Sequence, residues 1–233
     1  MRFVALTIAA LFVAADGPYA LLPNVEIWTE ASGQQSLLGG PVHRDAREYR
    51  GPHPVVAHPP CERWGRYWHG GPSAKEPRTK GDDDGCFKSA LRAVRAFGGV
   101  LEHPEASAAW STFGLNVPPR TGGWIQADDF GGSTCCVEQG HYGHRARKAT
   151  WLYAWGAHME GPRDLPVLRW GPSENRARLD VGFHTAEERA RGKALGLDVV
   201  RGAARLSARE CWETPAEFRD VLLAIARSVY EVT

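Results

Sequence analysis

The sequence has almost no net charge, and no stretch of it is long and apolar enough to cross a membrane. Its 233 residues include 28 Lys and Arg against 27 Asp and Glu, a net charge of +1. Bulk charge therefore cannot hold a nucleic acid, and such a partner would need a local basic surface. The P-loop, G-x-S-x-G, H-E-x-x-H and G-x-G-x-x-G motifs are absent, which removes the usual signatures of four large enzyme classes.

Cysteine is scarce and irregularly placed. The five cysteines are an odd number without regular spacing, and Cys135 and Cys136 are adjacent. This pattern argues against a disulfide framework and favours a reducing compartment, so we expect a cytoplasmic protein. Residues 1–15 leave an alternative open, because Arg2 followed by an apolar run also resembles a secretory signal. We favour a buried strand there, since β-forming residues dominate the run and Asp16-Gly17-Pro18 ends it.

The composition is that of a soluble globular protein with long loops. Apolar residues make up 43% of the chain and charged residues 24%, with 9 Trp, 6 Tyr and 8 Phe. So many aromatic residues with so little net charge exclude intrinsic disorder. Gly and Pro occur 26 and 16 times, which predicts extended loops. At this length, one domain or two small ones would fit.

Short apolar runs that end at breaker residues predict the strands of a sheet. The runs lie within residues 1–15, 25–28, 54–58 and 100–101. They lack polar alternation, which is typical of central strands covered on both faces. Asp84 can cap a helix over about 85–97 that ends at a glycine pair. The alternation of strand and helix predicts an α/β fold with a mostly parallel sheet and crossover helices.

The second half of the chain is less regular. Residues 114–134 have no period and are predicted to form one long loop, whereas residues 149–155 are predicted to form a strand. Two capping patterns, Thr185-x-x-Glu188 and Thr214-Pro215-x-Glu217, predict two C-terminal helices. The expected units are an α/β core over 1–156, a loop-rich segment over 157–183 and C-terminal helices over 184–233.

Two motifs place reactive side chains at predicted strand ends. His58-Pro59-Pro60-Cys61 follows one strand and Glu102-His103 ends the next. Ligands of an open parallel sheet bind outside the carboxyl ends of its strands. Cys61, on a stiff di-proline turn, is therefore a candidate nucleophile, with a structural loop cysteine as the alternative. Glu102 is a candidate acid or hydrogen-bond partner, with His103 as an alternative proton carrier.

A third motif is the basic segment His141–Lys148. Between residues 139 and 178 the chain has 7 Lys and Arg against 3 Asp and Glu. Phosphate groups could be held there, and a solvated basic turn is the alternative. If His58, Arg63 and residues 144–148 approach the Cys61 thiol, their charge lowers its pKa, and we predict that direction.

Metal binding is the less favoured interpretation of two clusters. Cys135, Cys136, His141 and His144 offer four zinc ligands, but adjacent residues of a strand point to opposite faces. The usual two-residue gap between thiolates is also absent. Asp82-Asp83-Asp84 precedes a predicted helix, whose N-terminus negative charge stabilises. We therefore expect no metal site.

In their order along the chain, these motifs resemble those of the DNA cytosine-5 methyltransferases: a PPC turn, a strand-end Glu, and R-x-R before a strand. The chain resembles more closely a group of phage and prophage proteins labelled as DNA methyltransferases, and this resemblance covers nearly its whole length. The segments that carry it are Ala15–Tyr19, Arg44–Ala46, Val55–Cys61, Trp64–Arg66, Gly98–Pro104, Gly143–Tyr153 and Thr214–Phe218.

The resemblance implies a Rossmann-like methyltransferase fold and a site. It implies that Cys61 attacks C6 of cytosine, that Glu102 contacts N3 of the ring, and that Arg145 and Arg147 steady the substrate. His58, from the same turn as Cys61, is added as a catalytic candidate. The expected methyl donor is S-adenosylmethionine, and its expected binding residues are Asp16, Gly17, Tyr19, Glu30 and Asp45.

The resemblance also implies a partner, which is DNA or a pyrimidine nucleotide. The target cytosine would be single-stranded or flipped out, because C6 is buried in a stacked duplex. Residues 157–183 would form a small target-recognition segment, and the host cytoplasm is the expected location of a phage-encoded enzyme.

The chain departs from the cytosine-5 family at several positions. LFVAADGPY, after the first strand, lacks the family's paired glycines, and Glu62, His103 and Gly143 replace family Gln, Asn and Gln. Two other functions therefore stay open. One is a pyrimidine-modifying enzyme that uses Cys61 with a different donor. The other is a non-catalytic phage accessory protein that binds a nucleotide or a host partner in the same cleft.

Overall fold

Eight strands form one mixed sheet in the computed structural model, which describes residues 6–30, 44–65, 68–70, 77–171, 206 and 208–228. The strands are β1 (Ile8–Leu11), β2 (Val25–Thr29), β3 (Arg44–Asp45), β4 (Val55–Ala57), β5 (Gly99–Pro104), β6 (Trp124–Gln126), β7 (Ser133–Glu138) and β8 (Ala149–Trp155). The described α-helices are α1 (Cys86–Phe97), α2 (Ala108–Thr112), α3 (Ala208–Trp212) and α4 (Ala216–Ser228). None of the helices in these ranges is long and apolar enough to span a bilayer.

The strand order is β3-β2-β1-β4-β5-β8-β7-β6. The first five of these are parallel, whereas β8 is antiparallel to both β5 and β7, and β6 is antiparallel to β7. The predicted α/β class and mostly parallel sheet are confirmed. The order reverses between β1 and β4, so the carboxyl ends of these two strands border the crevice where such sheets bind ligands.

Alternating apolar side chains build a core on each face of the sheet. On one face, Leu11 and Leu101 share a buried cluster with Phe87 of α1 and Trp110 of α2. The cluster on the other face includes Ile8, Val56, Val100, Leu152, Phe218 and Leu222. Because helices cover both faces, β1, β4 and residues 99–101 of β5 are apolar. The polar residues Glu102 and His103 follow them at the carboxyl end of β5.

The strands and helix of the first hundred residues agree with the predictions, with one change at a helix start. Residues 8–11 form a fully buried central strand, as preferred for the opening apolar run. The cap predicted at Asp84 is wrong, because Asp83 accepts hydrogen bonds from the backbone N–H groups of Gly85 (3.0 Å) and Phe87 (2.8 Å). Asp84 instead adopts a positive φ of 52° in the turn before α1.

The long loop predicted over 114–134 is wrong in its second half. It contains β6 and the start of β7, which pair through Trp124–Gln126 and Ser133–Cys135. The turn between them is held by Asp128, whose Oδ1 accepts from the N–H groups of Phe130 and Gly132. Residues 128–132, with two aspartates and two glycines, resemble a loop in sequence, although they form the turn that joins two paired strands.

The last helix, α4, was predicted correctly, except that it begins one residue later than expected. Pro215 lies just before it, and the Pro215 carbonyl accepts from the N–H of Arg219 at 2.9 Å. The helix predicted from Thr185 lies outside the described residues. The segment predicted over 157–183 is described as far as residue 171, and it contains a 3-10 turn at Pro162–Asp164.

Candidate functional site

Three strand ends bring Tyr19, His58 and Glu102 together. Tyr19 follows β1, His58 follows β4, and Glu102 lies near the end of β5. The Tyr19 hydroxyl is 2.9 Å from Nε2 of His58, and Nδ1 of His58 is 3.0 Å from Oε2 of Glu102. All three side chains are largely or fully buried. The residues that follow β1 and β4, the two strands at the reversal, thus form one hydrogen-bonded group with Glu102 of β5.

The hydrogen bond to Glu102 fixes one proton of this group. A carboxylate only accepts, so Nδ1 of His58 donates to Glu102, while Nε2 shares a hydrogen bond with the Tyr19 hydroxyl. Burial, and then the nearby charge of Glu102, raise the pKa of Tyr19 well above its usual value. The phenol therefore keeps its proton. Tyr19, which was expected to bind the cofactor, hydrogen-bonds to His58 in the structure.

Glu102 is held as a carboxylate. Burial alone would raise its pKa, but the hydrogen bond and charge of His58, together with the charge of Lys148, lower the pKa to about 2. Its second oxygen, Oε1, accepts from Nε2 of Gln139 at 3.0 Å. At neutral pH Glu102 therefore acts as a hydrogen-bond acceptor and not as the acid considered from the sequence.

Cys61 lies beside this group on the turn after β4. Its carbonyl accepts from the N–H groups of Trp64 (3.0 Å) and Gly65 (2.9 Å), which fixes the turn. Burial, and then the negative charge of Glu102, raise the pKa of the half-buried thiol to about 11, against a smaller opposing effect of Lys148. The prediction of a lowered pKa is wrong, because burial and Glu102 outweigh the nearby positive charge.

The two arginines of the R-x-R motif are paired with carboxylates. Arg145 forms an ion pair with Glu210, and Arg147 forms one with Glu138 in which Nε is 2.8 Å from Oε2. Their side chains are 52% and 54% exposed. Arg145 also lines a cavity of about 410 Å³ near the start of α4. In the described part of the chain, neither arginine hydrogen-bonds to Tyr19, His58 or Glu102.

Lys148, the next residue, is the cation that acts on the site. It has a positive φ of 42°, and its Nζ donates to the carbonyls of Trp212 (3.2 Å) and Glu213 (2.9 Å). Burial lowers its pKa, while the charges of Glu102 and Cys61 oppose that shift. In the sequence, Lys148 is only one member of the basic segment His141–Lys148. Its position directly before β8, which pairs with β5, is the signal that could have identified it.

His103 points to the opposite face from Glu102, as neighbouring residues of a strand do. Its Nδ1 is 2.7 Å from the Ser107 hydroxyl, and its ring contacts those of Phe87 and Trp110. Burial lowers its pKa to about 4, so the ring is neutral at pH 7. His103 is therefore a core residue, and the structure does not support the alternative that it carries a proton in the site.

The residues expected to bind S-adenosylmethionine divide into two groups. Glu30 is exposed directly after β2, and Asp16 is exposed in the loop after β1. Gly17 forms a turn there by donating to the Ala14 carbonyl at 3.0 Å. Asp45, in contrast, is buried and binds Arg47 through both carboxylate oxygens. That hydrogen bond is the main reason why its pKa is lowered. Asp16 and Glu30 fit a role in cofactor binding, whereas Tyr19 and Asp45 are occupied by intramolecular contacts.

The vicinal cysteines do not form a metal site. Cys135 belongs to the core on one face of the sheet and Cys136 to the core on the other. Within the ranges that the structure covers, no group of three or more His, Cys, Asp or Glu side chains is arranged to hold a metal ion. The zinc interpretation of these cysteines therefore has no support from their geometry.

Comparison of the chain with protein-family models, with curated proteins and with solved structures finds no match. Its function must be inferred from the site. That site offers a thiol, a fixed carboxylate, a histidine hydrogen-bonded to that carboxylate and a partly buried ammonium group. All four belong to one edge of the sheet beside the strand reversal, where a planar polar ligand could be bound and attacked by the thiol.

Proposed function

We propose that the chain is a methyltransferase-like enzyme that acts on cytosine, in DNA or in a nucleotide, through Cys61. The observation that carries the proposal is the convergence of Cys61 and Glu102, from separate strands, at the crevice of the sheet. The parallel strand order β3-β2-β1-β4-β5 also supports a Rossmann-like fold. The resemblance of the PPC turn and the strand-end Glu to the cytosine-5 enzymes then suggests the reaction.

In the proposed reaction, the Cys61 thiol loses its proton to solvent and the sulfur adds to C6 of the ring. The electron pair of the C5–C6 bond moves towards C5, which becomes able to take a methyl group. The C5 proton then passes to solvent, the electron pair of the C5–H bond re-forms the C5–C6 double bond, and the sulfur leaves as the Cys61 thiolate. Lys148 stabilises the thiolate by its charge, while Glu102 accepts a hydrogen bond from the 4-amino group of cytosine.

We further propose that S-adenosylmethionine binds at Asp16 and Glu30 and supplies the electrophilic methyl group. Exposed carboxylates at the ends of neighbouring parallel strands suit the ribose hydroxyls of such a cofactor. Gly17 in the adjoining turn allows the backbone to pass close by, since a Cβ there would lie 3.1 Å from the Ala14 carbonyl oxygen.

Methyl transfer to a single-stranded oligonucleotide tests the proposal. The wild-type protein is incubated with the oligonucleotide and methyl-labelled S-adenosylmethionine, and 5-methylcytosine is measured after digestion. We expect product from the wild type, none from Cys61→Ser, and wild-type yield from Cys211→Ser. Cys211 is a matched control because it is also a half-buried cysteine. Undiminished product from Cys61→Ser would exclude Cys61 as the nucleophile.

A non-catalytic nucleotide-binding protein is the second candidate function. The raised pKa of Cys61 favours it, because a thiol that is protonated at neutral pH is a poor nucleophile. This alternative predicts that nucleotide binds equally well to the wild type and to Cys61→Ser, with no methylated product from either. A base-modifying reaction with another donor would also give no methylated product, but Cys61 would still be required for covalent attachment.

A further inference from the structure

Gln139 is a fully buried glutamine at the end of β7 that reaches across β8 towards β5. Its side chain is 0% exposed. Its Nε2 donates to Oε1 of Glu102 at 3.0 Å and to Oγ1 of Thr150 at 2.9 Å. Its Oε1 is buried and has no hydrogen-bond partner. A buried acceptor without a partner is costly in a folded protein, so its presence requires an explanation.

The hydrogen-bond network fixes which way the Gln139 amide faces. Glu102 is a carboxylate and can only accept, so an N–H must face it. The Thr150 hydroxyl donates to the Lys148 carbonyl at 3.1 Å, so it too accepts from Gln139. Both N–H bonds of Nε2 are therefore used, and a flipped amide would place its oxygen against the carboxylate. The unpartnered atom is the acceptor oxygen.

Two acceptors consequently lie side by side in the site. Oε1 of Gln139 belongs to the amide whose nitrogen is 3.0 Å from Oε1 of Glu102, so the two oxygens are within about 5 Å of each other. One amino group lies about 2.9 Å from both oxygens and clears Nε2 of Gln139 when the oxygens are about 4 Å apart, which is their separation if the N–H cis to Oε1 of Gln139 faces Glu102. The Glu102 side chain is 11% exposed, so a ligand reaches the pair from the Glu102 side.

We propose that Glu102 and Gln139 together bind an exocyclic amino group and so select cytosine over uracil and thymine. The inference rests on the proposed function, to which it adds a specificity-determining residue. Cytosine offers two N–H donors at C4, whereas uracil and thymine present a carbonyl oxygen there. That oxygen would face two acceptors that are held in place by Thr150 and His58 and cannot turn to donate.

Equilibrium binding of dCMP and dUMP tests the inference without any methyl transfer. The two nucleotides differ at the 4-position and in the protonation of N3. We expect dCMP to bind roughly 10- to 100-fold more tightly by calorimetry, the range for hydrogen bonds that involve a charged group. N4,N4-dimethyl-dCMP, which has no N–H at that position, should lose the same factor. This comparison uses only the wild-type protein and does not depend on whether a variant folds.

The variant Gln139→Leu assigns the effect to the residue. It removes the unpartnered oxygen, and we expect it to reduce the preference for dCMP at least threefold while binding of dUMP is retained. Gln126→Leu is the matched control, because Gln126 is an exposed glutamine on β6, and its preference should equal that of the wild type. Circular dichroism and thermal unfolding verify that both variants are folded.

The outcomes separate this inference from the proposed function. Equal affinity of dCMP and dUMP, or no binding of either at millimolar concentration, would overturn the selection of an amino group. Oε1 of Gln139 would then be explained by a hydrogen bond to a buried water. A preference for dCMP without any methylated DNA would support the inference and contradict the proposed reaction. An unchanged preference in folded Gln139→Leu would leave Glu102 as the recognising residue and overturn the assignment of Gln139.

Discussion

Replacing Glu102 by Gln should make the Cys61 thiol more reactive. After burial, the negative charge of Glu102 is the main factor that raises the pKa of this thiol to about 11. Gln has nearly the same shape and can still accept a hydrogen bond from His58, but it has no charge. The substitution should therefore lower the pKa of Cys61 while the turn that carries it stays in place.

The size of the effect follows from the thiolate fraction. At pH 8, a thiol of pKa about 11 is roughly 0.1% ionised, about 200-fold less than an ordinary thiol of pKa about 8.5. The more basic thiolate is intrinsically more nucleophilic, which raises the alkylation rate about tenfold and offsets part of this difference. Cys61 should therefore be alkylated about 20-fold more slowly than an ordinary thiol. Each unit by which Glu102→Gln lowers the pKa should accelerate alkylation about threefold.

The assay is the rate of iodoacetamide modification at Cys61, followed by peptide mass spectrometry between pH 7 and pH 11. We expect the midpoint of the rate profile near 11 in the wild type and at lower pH in Glu102→Gln. Glu62→Gln is the matched control, because Glu62 is exposed and has a weaker effect on the thiol. A wild-type midpoint near 8.5, or an unchanged midpoint in Glu102→Gln, would refute the reasoning.

Three further predictions concern other parts of the molecule. Burial lowers the pKa of His103 to about 4 in the folded protein, whereas the same residue has a pKa near 6.5 in the unfolded chain. As the pH falls, the unfolded chain therefore binds the proton first. The free energy of unfolding should be constant above pH 6.5 and fall by about 3 kcal/mol towards pH 4. Urea unfolding between pH 4 and 7 should show this loss, and a folded His103→Gln variant should lack it. Replacing Arg145 and Arg147 together by Gln should weaken single-stranded DNA binding and flatten its salt dependence, and it should cost stability because the buried Glu138 loses its partner. Unaltered affinity in the folded variant would make the segment a solvated turn. S-adenosylmethionine should raise the melting temperature of the wild type and not that of Glu30→Gln, and no shift at millimolar cofactor in the wild type would count against a donor site there.

The centre of the sheet and part of the site could be predicted from the sequence. Apolar runs without polar alternation identified β1, β4 and β5 because both faces of a doubly covered sheet demand such runs. Parallel strands bring their carboxyl ends to one edge, so Cys61 and Glu102 could be expected near each other from order alone. His58 shares the turn with Cys61, and its contact with Glu102 follows from the same rule.

The rest depended on contacts that are distant in sequence. β7 contains Thr134, which is buried because distant residues satisfy its hydroxyl: it donates to the Leu152 carbonyl at 2.8 Å and accepts from Nε1 of Trp110 at 3.1 Å. Gln139 reaches Glu102 because β8 is inserted between β5 and β7, which no local pattern indicates. The direction of the Cys61 pKa shift depended on burial as well as charge, and burial is a property of the packed fold.

Covalent trapping by DNA that contains 5-fluorocytosine tests most directly whether Cys61 is the nucleophile of a cytosine-5 reaction. Fluorine at C5 cannot leave as the proton does, so the bond between sulfur and C6 persists after methyl transfer. With S-adenosylmethionine present, mass spectrometry should find the base attached to Cys61 in the wild type and in Cys211→Ser, and no adduct in Cys61→Ser. A wild-type protein that binds this DNA and the cofactor but forms no adduct, or forms it at another residue, would contradict the proposal.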